Sequence, residues 1–382
     1  MSTPNAPTII VRPSPQISAI RLVLAIVAVL VALVLGLLVL LVIGIETGPV
    51  ALLLGLITAT IPVPLYVVLV LWIDRYEAEP LWMLATAFFW GALVATFFAF
   101  LLNTTSGIVV GVLTDASAGQ AFSAVISAPF VEEIGKAVIL FIFFFWKKDE
   151  FDGVVDGIVY ASMAGLGFAM TENVLYYGKA ASLGGGEALT LIVIIRGFFA
   201  PFSHPLFTSL TGIGLGLARQ SSNIALKVGT PVVGLLLAIF MHSLWNASAV
   251  LGGGAVFLLT YIVVMVPAFL IILVVISLAL RREGQVVREF LVLDLERGLL
   301  TQDEYKQLGS IVGRMGSSFN ALSKRGVKGW RARMRFNQLA SELAFHRSRV
   351  SRGVHPASDE VLAREAAYVY ALQALIAELR GS

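Results

Sequence analysis

Glu132-Glu133-x-x-Lys136, Glu172-Asn173, His204 and His242-x-x-x-Asn246 each lie in a stretch that otherwise reads as lipid-buried helix. Carboxylate, imidazole and amide are the groups that activate water, with or without a divalent metal. A charge at membrane depth is expensive, so a chain keeps one where it is paired or working. Three intramembrane carboxylates at about 2.5–3.5 kcal/mol each cost roughly 8–10 kcal/mol. That is comparable to the net stability of a whole domain. The set points to chemistry on water inside a membrane.

Spacing refines the set. Lys136 follows Glu132 by four residues, so the two share a helix face and are expected to pair. Glu133 points about 100° away and is left for another partner. Pro129 suits a helix start, which would make the acids interfacial, but the uncharged run 120–130 argues for a deeper position. Glu172 follows Gly165 and Gly167, which suit close helix packing. His204 sits between Pro201 and Pro205, and freed backbone at membrane depth is tolerated beside a cavity or within protein. His242 and Asn246 share a face, placing Asn246 to orient the imidazole or to hold a developing oxyanion. Taken singly, each group also reads as a polar contact between helices. Together, two Glu clusters and two His from four segments make a candidate site for a metal or an activated water. A rise of 1.5 Å per residue sets Glu132, Glu172 and His242 roughly 8–16 Å from their outer helix ends. Arg196 is expected to snorkel to the outer surface.

The elements that must position these groups are apolar helices. The chain of 382 residues is 58% hydrophobic and 13% charged, against roughly 25% charged for soluble domains. The reading is an all-α, polytopic membrane helix bundle of about eight spans with a small helical cytoplasmic C-terminal domain. At about 20 residues per crossing, the spans fall at roughly 21–44, 50–73, 81–102, 121–146, 154–177, 188–218, 229–251 and 255–280. Residues 1–20 are expected to be disordered, and the apolar run after them is too long for a signal-peptide core. Residues 103–120 are expected as a re-entrant or surface helix, 178–187 as a loop, and the sixth span as broken. Basic residues gather in alternate loops, which puts both termini in the cytoplasm of a cell-membrane protein. Residues 281–382 carry 17 Lys/Arg and 11 Asp/Glu, net +6, leaving 10 and 13, net −3, for the first 280. This basic tail suits anionic lipid or a cytoplasmic protein, and no nucleic-acid partner is expected. Asp359–Leu379 reads as an amphipathic helix. The absence of cysteine excludes disulfides and thiolate metal sites.

Other chemistries lack their marks. There is no His-Glu-x-x-His and no Gly-x-Ser-x-Gly elbow. Buried Glu and His also build ion pathways, so a proton- or ion-coupled transporter is one alternative, although internal repeats are missing. A non-catalytic membrane scaffold is the other.

Glu132-Glu133-x-x-Lys136, Phe168-x-x-x-Glu172-Asn173 and His242-x-x-x-Asn246 resemble the PrsW family of intramembrane proteases. So do Asp152-Gly153-Val154-Val155-Asp156-Gly157 and the Trp72–Pro80 loop. The match runs in order from about residue 70 to 250, and the family is similar to the CAAX prenyl protease and Abi group. The resemblance implies hydrolysis of peptide bonds in membrane-protein substrates, such as a single-span anti-sigma factor. It implies a site of Glu132, Glu133, Glu172, His204, His242 and Asn246, supported by Lys136 and Asn173. A divalent metal such as zinc would fall on Glu133, Glu172, His204 and His242. Nothing carries over to residues 281–382.

Overall fold

The computed structural model describes residues 19–353 and 358–381. Among them every regular element is helical. Most of the expected disordered segment, residues 1–18, lies outside the described residues. Six helical runs are long and apolar enough to cross a membrane: Ala19–Thr47, Pro49–Ile73, Leu81–Leu113, Val154–Gln220, Ile224–Val250 and Gly253–Glu296. The expected segments 154–177 and 188–218 both fall within Val154–Gln220. The expected fourth segment is a helix, Ala128–Trp146, that carries Glu132, Glu133 and Lys136 among its 19 residues.

The chain divides into two compact units, one of Val27–Asp74 with Glu79–Ser277, the other built on Leu278–Ser382 and Arg75–Ala78. In the first unit the helices are α1 (Ala19–Thr47), α2 (Pro49–Thr60), α3 (Val63–Ile73), α4 (Leu81–Phe89), α5 (Thr96–Leu113) and α6 (Ala116–Phe122). They continue with α7 (Ala128–Trp146), α8 (Val154–Val193), α9 (Ser203–Gln220), α10 (Ile224–Val250) and α11 (Gly253–Thr260). α12 (Val266–Glu296) begins here. π-helical turns join several of these, at Trp90–Ala95, Ser123–Ser127, Ile194–Phe199 and Tyr261–Met265. Such turns occur as single insertions, frequently at functional sites.

α8 is the central rod. It packs against α2, α4 and α9, and α9 packs in turn on α10. Small residues allow the approach: a Cβ on Gly157 would stand 2.1 Å from the Gly212 carbonyl oxygen, and one on Gly167 1.9 Å from that of Phe88. Without a hydrophobic drive between helices in lipid, close backbone packing of this kind supplies much of the association. The start of α8 is fixed by Asp156, whose carboxylate accepts from the Gly153 and Asp152 N–H groups at 2.7 and 2.8 Å. The Asp74–Glu79 turn is anchored alongside. Glu79 N–H donates to Asp74 at 2.7 Å, and the Tyr160 hydroxyl of α8 donates to the Glu79 carboxylate. Burial pushes the Asp74 carboxyl up to about 7, against the lowering pull of that N–H.

Two sequence expectations are corrected. Residues 103–113 continue α5, and 178–184 continue α8, which breaks only at Gly185 (φ 64°). The sixth segment is broken, with non-helical backbone at Ala200 and Phe202 before α9 starts at Ser203.

In the second unit α12 ends at Glu296, with Gly298 at φ 72°, and is followed by α13 (Gln302–Leu308), α14 (Ile311–Ser351) and α15 (Asp359–Gly381). Val287, Leu291, Leu308, Phe336, Leu343 and Leu372 form its buried apolar face. Arg347 ties the helices together, donating to Asp294 and, at 2.7 Å, to Glu365.

Candidate active site

Every candidate residue of the sequence reading lies in the first unit, on α7, α8, α9 and α10. Glu132 and Glu133 lie well inside the helical run 116–146, so the helix does not begin at Pro129. Adjacent positions on α7 send the two carboxylates to different tasks.

Glu133 is fully buried and accepts three hydrogen bonds. They come from Lys136 Nζ at 2.6 Å, His242 Nδ1 at 2.9 Å and Thr208 Oγ1 at 2.9 Å. Lys136 therefore pairs with Glu133 at i,i+3, and it lies 4.0 Å from Glu132, the partner that spacing suggested. Glu132 is also buried, but it lines the cavity. Its Oε1 accepts a long bond from Asn103 Nδ2 at 3.4 Å, and its buried Oε2 has no hydrogen-bond partner.

The imidazoles follow. An ammonium only donates, so His204 Nδ1, 3.1 Å from Lys136 Nζ, is the accepting nitrogen. Nε2–H then donates to Glu172 Oε2 at 2.9 Å. In His242 the proton sits on Nδ1, facing Glu133, which leaves Nε2 bare and 3.8 Å from Glu132 Oε2. The two rings lie 5.1 Å apart, and Phe207 stacks on His242 at 4.9 Å. His204 is held against α8, where a Cβ on Gly165 would meet the Pro205 nitrogen at 2.7 Å and the His204 carbonyl oxygen at 3.0 Å. Gly165→Ala is therefore expected to displace His204 and to cost about 1–3 kcal/mol of stability through overpacking. A thermal midpoint and cleavage rate equal to wild type would show that α8 and α9 separate without consequence.

Arg196 does not snorkel. It donates through Nε to Asn173 Oδ1 at 2.6 Å and through Nη2 to Glu172 Oε2. Asn246 does not touch His242 and donates instead to the Ala124 carbonyl at 2.9 Å. Sequence reasoning missed Asn103, Thr208 and the pairing of Arg196. The only advance signal was a polar residue inside an apolar run.

A cavity of about 930 Å³ reaches this cluster. Glu132, Glu172, Arg196 and Asn246 line its polar end, while Val39, Ile108, Ile192 and Phe257 are among its apolar walls. Glu133, Lys136, His204 and His242 stand behind that lining. Three carboxylates against two cations leave one formal negative charge, and Glu132, 4.0 Å from Lys136, is the carboxylate with no hydrogen-bonded cation. Among the described residues, ligand atoms of Glu132, His204 and His242 all lie within 4.8 Å of one another. The orphaned Glu132 Oε2, the bare His242 Nε2 and the excess charge fit a divalent cation. At His204, a cation would have to displace one of the two existing contacts. The sequence expectation put Glu133 and Glu172 in the metal set, but Glu133 spends its oxygens on Lys136, His242 and Thr208, and Glu132 takes its place in the close group.

Comparison with known proteins agrees in extent with this unit. The family model described as PrsW family intramembrane metalloprotease matches residues 79–272. Protease PrsW of Geobacillus kaustophilus is 33% identical over 177 residues, 45% of this chain and 69% of the relative. Protease PrsW of Oceanobacillus iheyensis is 31% identical over 44% of this chain and 70% of its own length. That of Bacillus subtilis is 30% identical over 45% and 72%. No solved structure matches.

Proposed function

The chain belongs to the PrsW family of intramembrane metalloproteases, and from that premise we propose that it hydrolyses its substrates at the polar end of the 930 Å³ cavity, on Glu132, His204 and His242. The family membership makes it a multi-pass membrane protease with membrane-protein substrates. The observation that carries the site assignment is the buried Glu132 Oε2, which faces the cavity group without a hydrogen-bond partner.

Glu132, His204 and His242 would hold the divalent cation, zinc being the expected one. When bound, it supplies Lewis acidity toward the scissile carbonyl. The remaining residues set the stage for it. Glu133 holds His242 by Nδ1 and so keeps Nε2 bare, as carboxylates behind ligating histidines do. Lys136 balances Glu133 and contacts His204 Nδ1, the contact that a cation on His204 would displace. Glu172 anchors His204 through Oε2, while its Oε1 accepts no bond from the described residues and is the carboxylate oxygen available to take a proton from water. Asn246, with one N–H spent on Ala124, has its second N–H for the substrate backbone.

The apolar cavity walls suit a membrane-spanning substrate, and the family resemblance suggests a single-span regulator of the anti-sigma type. We place the protein in the cell membrane with both termini in the cytoplasm, on the loop-charge pattern. In this reading residues 21–280 form the protease and 281–382 a basic helical domain that meets anionic lipid or a cytoplasmic protein.

Chelation tests the metal assignment. Protein purified in detergent and treated with a strong chelator is expected to lose at least 10-fold of its cleavage of a single-span model substrate, an order-of-magnitude floor, and to regain it with zinc. Full activity after the metal has been removed to below about 0.01 per chain, an order-of-magnitude threshold, would refute it.

A further inference from the structure

Arg196 is the one cation of the site that faces the cavity and that the mechanism above leaves without a task. It sits on the π-helical turn Ile194–Phe199, just before the break that precedes α9. Nε donates to Asn173 and Nη2 to Glu172, and the guanidinium carbon lies 4.0 Å over the Tyr176 ring. Three fixed contacts within little more than one turn of α8 define its plane. Its side chain is 20% exposed, and it lines the cavity beside Glu132 and Glu172. Nη1 donates to none of the described residues. Glu172 Oε2 touches both Arg196 Nη2 and His204 Nε2, so the guanidinium is one carboxylate oxygen away from the metal-fit group.

A guanidinium in a largely apolar cavity needs more than one counter-charge contact to justify its position, and a pure structural tie to Glu172 could be made by a neutral donor. What Arg adds is a permanent charge with a planar fork of five N–H donors, of which two are spent here. We propose that Arg196 is a catalytic residue, whose free Nη1 donors receive the carbonyl oxygen of the scissile peptide as negative charge develops on it. This rests on the protease reading. In the step, water adds to the carbonyl carbon and the C–N bond breaks. The proton lost by water ends on the leaving nitrogen, and nothing is oxidised or reduced. Arg196 keeps its own protons throughout, since guanidinium does not deprotonate in proteins. Because Asn173, Glu172 and Tyr176 hold it beforehand, no reorganisation is needed when the charge appears, which is the condition under which such donors are strongest.

The test uses the full chain in detergent and a quenched fluorogenic peptide of one Leu/Ala span with lysine flanks and a central Gly-Ser pair. Arg196→Gln is expected to lower kcat by about 10²–10³-fold, the usual loss for one oxyanion donor. KM and zinc per chain stay at wild-type values, while the thermal midpoint falls because Glu172 loses its cation, so kcat is read well below both midpoints. Arg196→Lys restores part of kcat, because it keeps the charge and loses the fork. Asn173→Ala leaves the guanidinium but loosens it, and is expected to lower kcat roughly 10-fold at constant KM, the scale of lost support behind a working group. Retained kcat in Arg196→Gln, beside a wild type that cuts, overturns the assignment. So does a kcat loss that tracks loss of zinc across the variants, which would make Arg196 a tether for Glu172 and His204 only. If Arg196→Gln does not fold, Asn173→Ala decides by the same two readouts. A wild type that leaves the peptide intact, with zinc bound, overturns the protease reading and the role of Arg196 together.

Discussion

Glu132→Gln is expected to abolish most of the activity while leaving the fold in place, lowering peptide cleavage on the order of 10³-fold. The reasoning is local. Glu132 Oε2 has no hydrogen-bond partner, so replacing it with an amide breaks no hydrogen bond there, and Oε1 loses at most the long bond from Asn103. What disappears is the site's unbalanced charge and one of three clustered ligand atoms. A metal contributes several kcal/mol to the transition state, and each 1.36 kcal/mol is tenfold, which gives the stated size. Cleavage rate and zinc per chain should fall together, with thermal unfolding in detergent nearly unchanged. A Glu132→Gln protein that binds zinc and cuts at the wild-type rate would remove Glu132 from the site.

Lys136→Met is expected to fail in a different way, through stability. Lys136 and Glu133 are both fully buried and lie 2.6 Å apart. Methionine approximates the length of the lysine side chain, so packing against Phe168, whose ring centre lies 4.3 Å from Nζ, is largely kept. Glu133 keeps Thr208 and His242 but loses its only close cation. Removing one partner of a buried pair typically costs 3–5 kcal/mol, because the other charge stays behind. The midpoint of thermal or denaturant unfolding in detergent reads this directly. The double variant Lys136→Met with Glu133→Gln should recover part of the loss. If the single variant is as stable as wild type, the pair carries no weight in the fold.

The fold class was legible in the sequence because it follows from hydrophobic run lengths, and the buried polar candidates stood out by the rarity of charge inside those runs. Pairing within the site was not. An ideal wheel puts Lys136 equally well beside Glu132 and Glu133, and the choice was made by Thr208 and His242 on α9 and α10, which converge on Glu133. Arg196 was misplaced for a related reason. A lone arginine near the end of an apolar run reads as one that reaches for the surface, whereas here it stands on the π turn Ile194–Phe199 with Glu172 and Asn173 as partners. Asn103 was hidden because α5 runs on to Leu113, ten residues beyond the point where composition becomes mixed. Asn246 faces Ala124 because Ser123–Ser127 is itself a π turn, whose carbonyls are offset from the usual ladder.

The cavity bears on the state in which a substrate can be cut. A peptide bond inside an intact helix has its carbonyl engaged four residues ahead and wrapped by side chains, out of reach of any fixed donor. The bond that meets Glu132 must therefore belong to a frayed stretch, whose released amides and carbonyls cannot be left bare among hydrocarbon. Asn103, Thr104, Gln120 and Ser123 lie along the same wall as Glu132 and Asn246 and can satisfy only a few such groups. Local fragility of the target helix, set by glycine, proline or serine near its end, then matters more to selection than the identity of any single side chain.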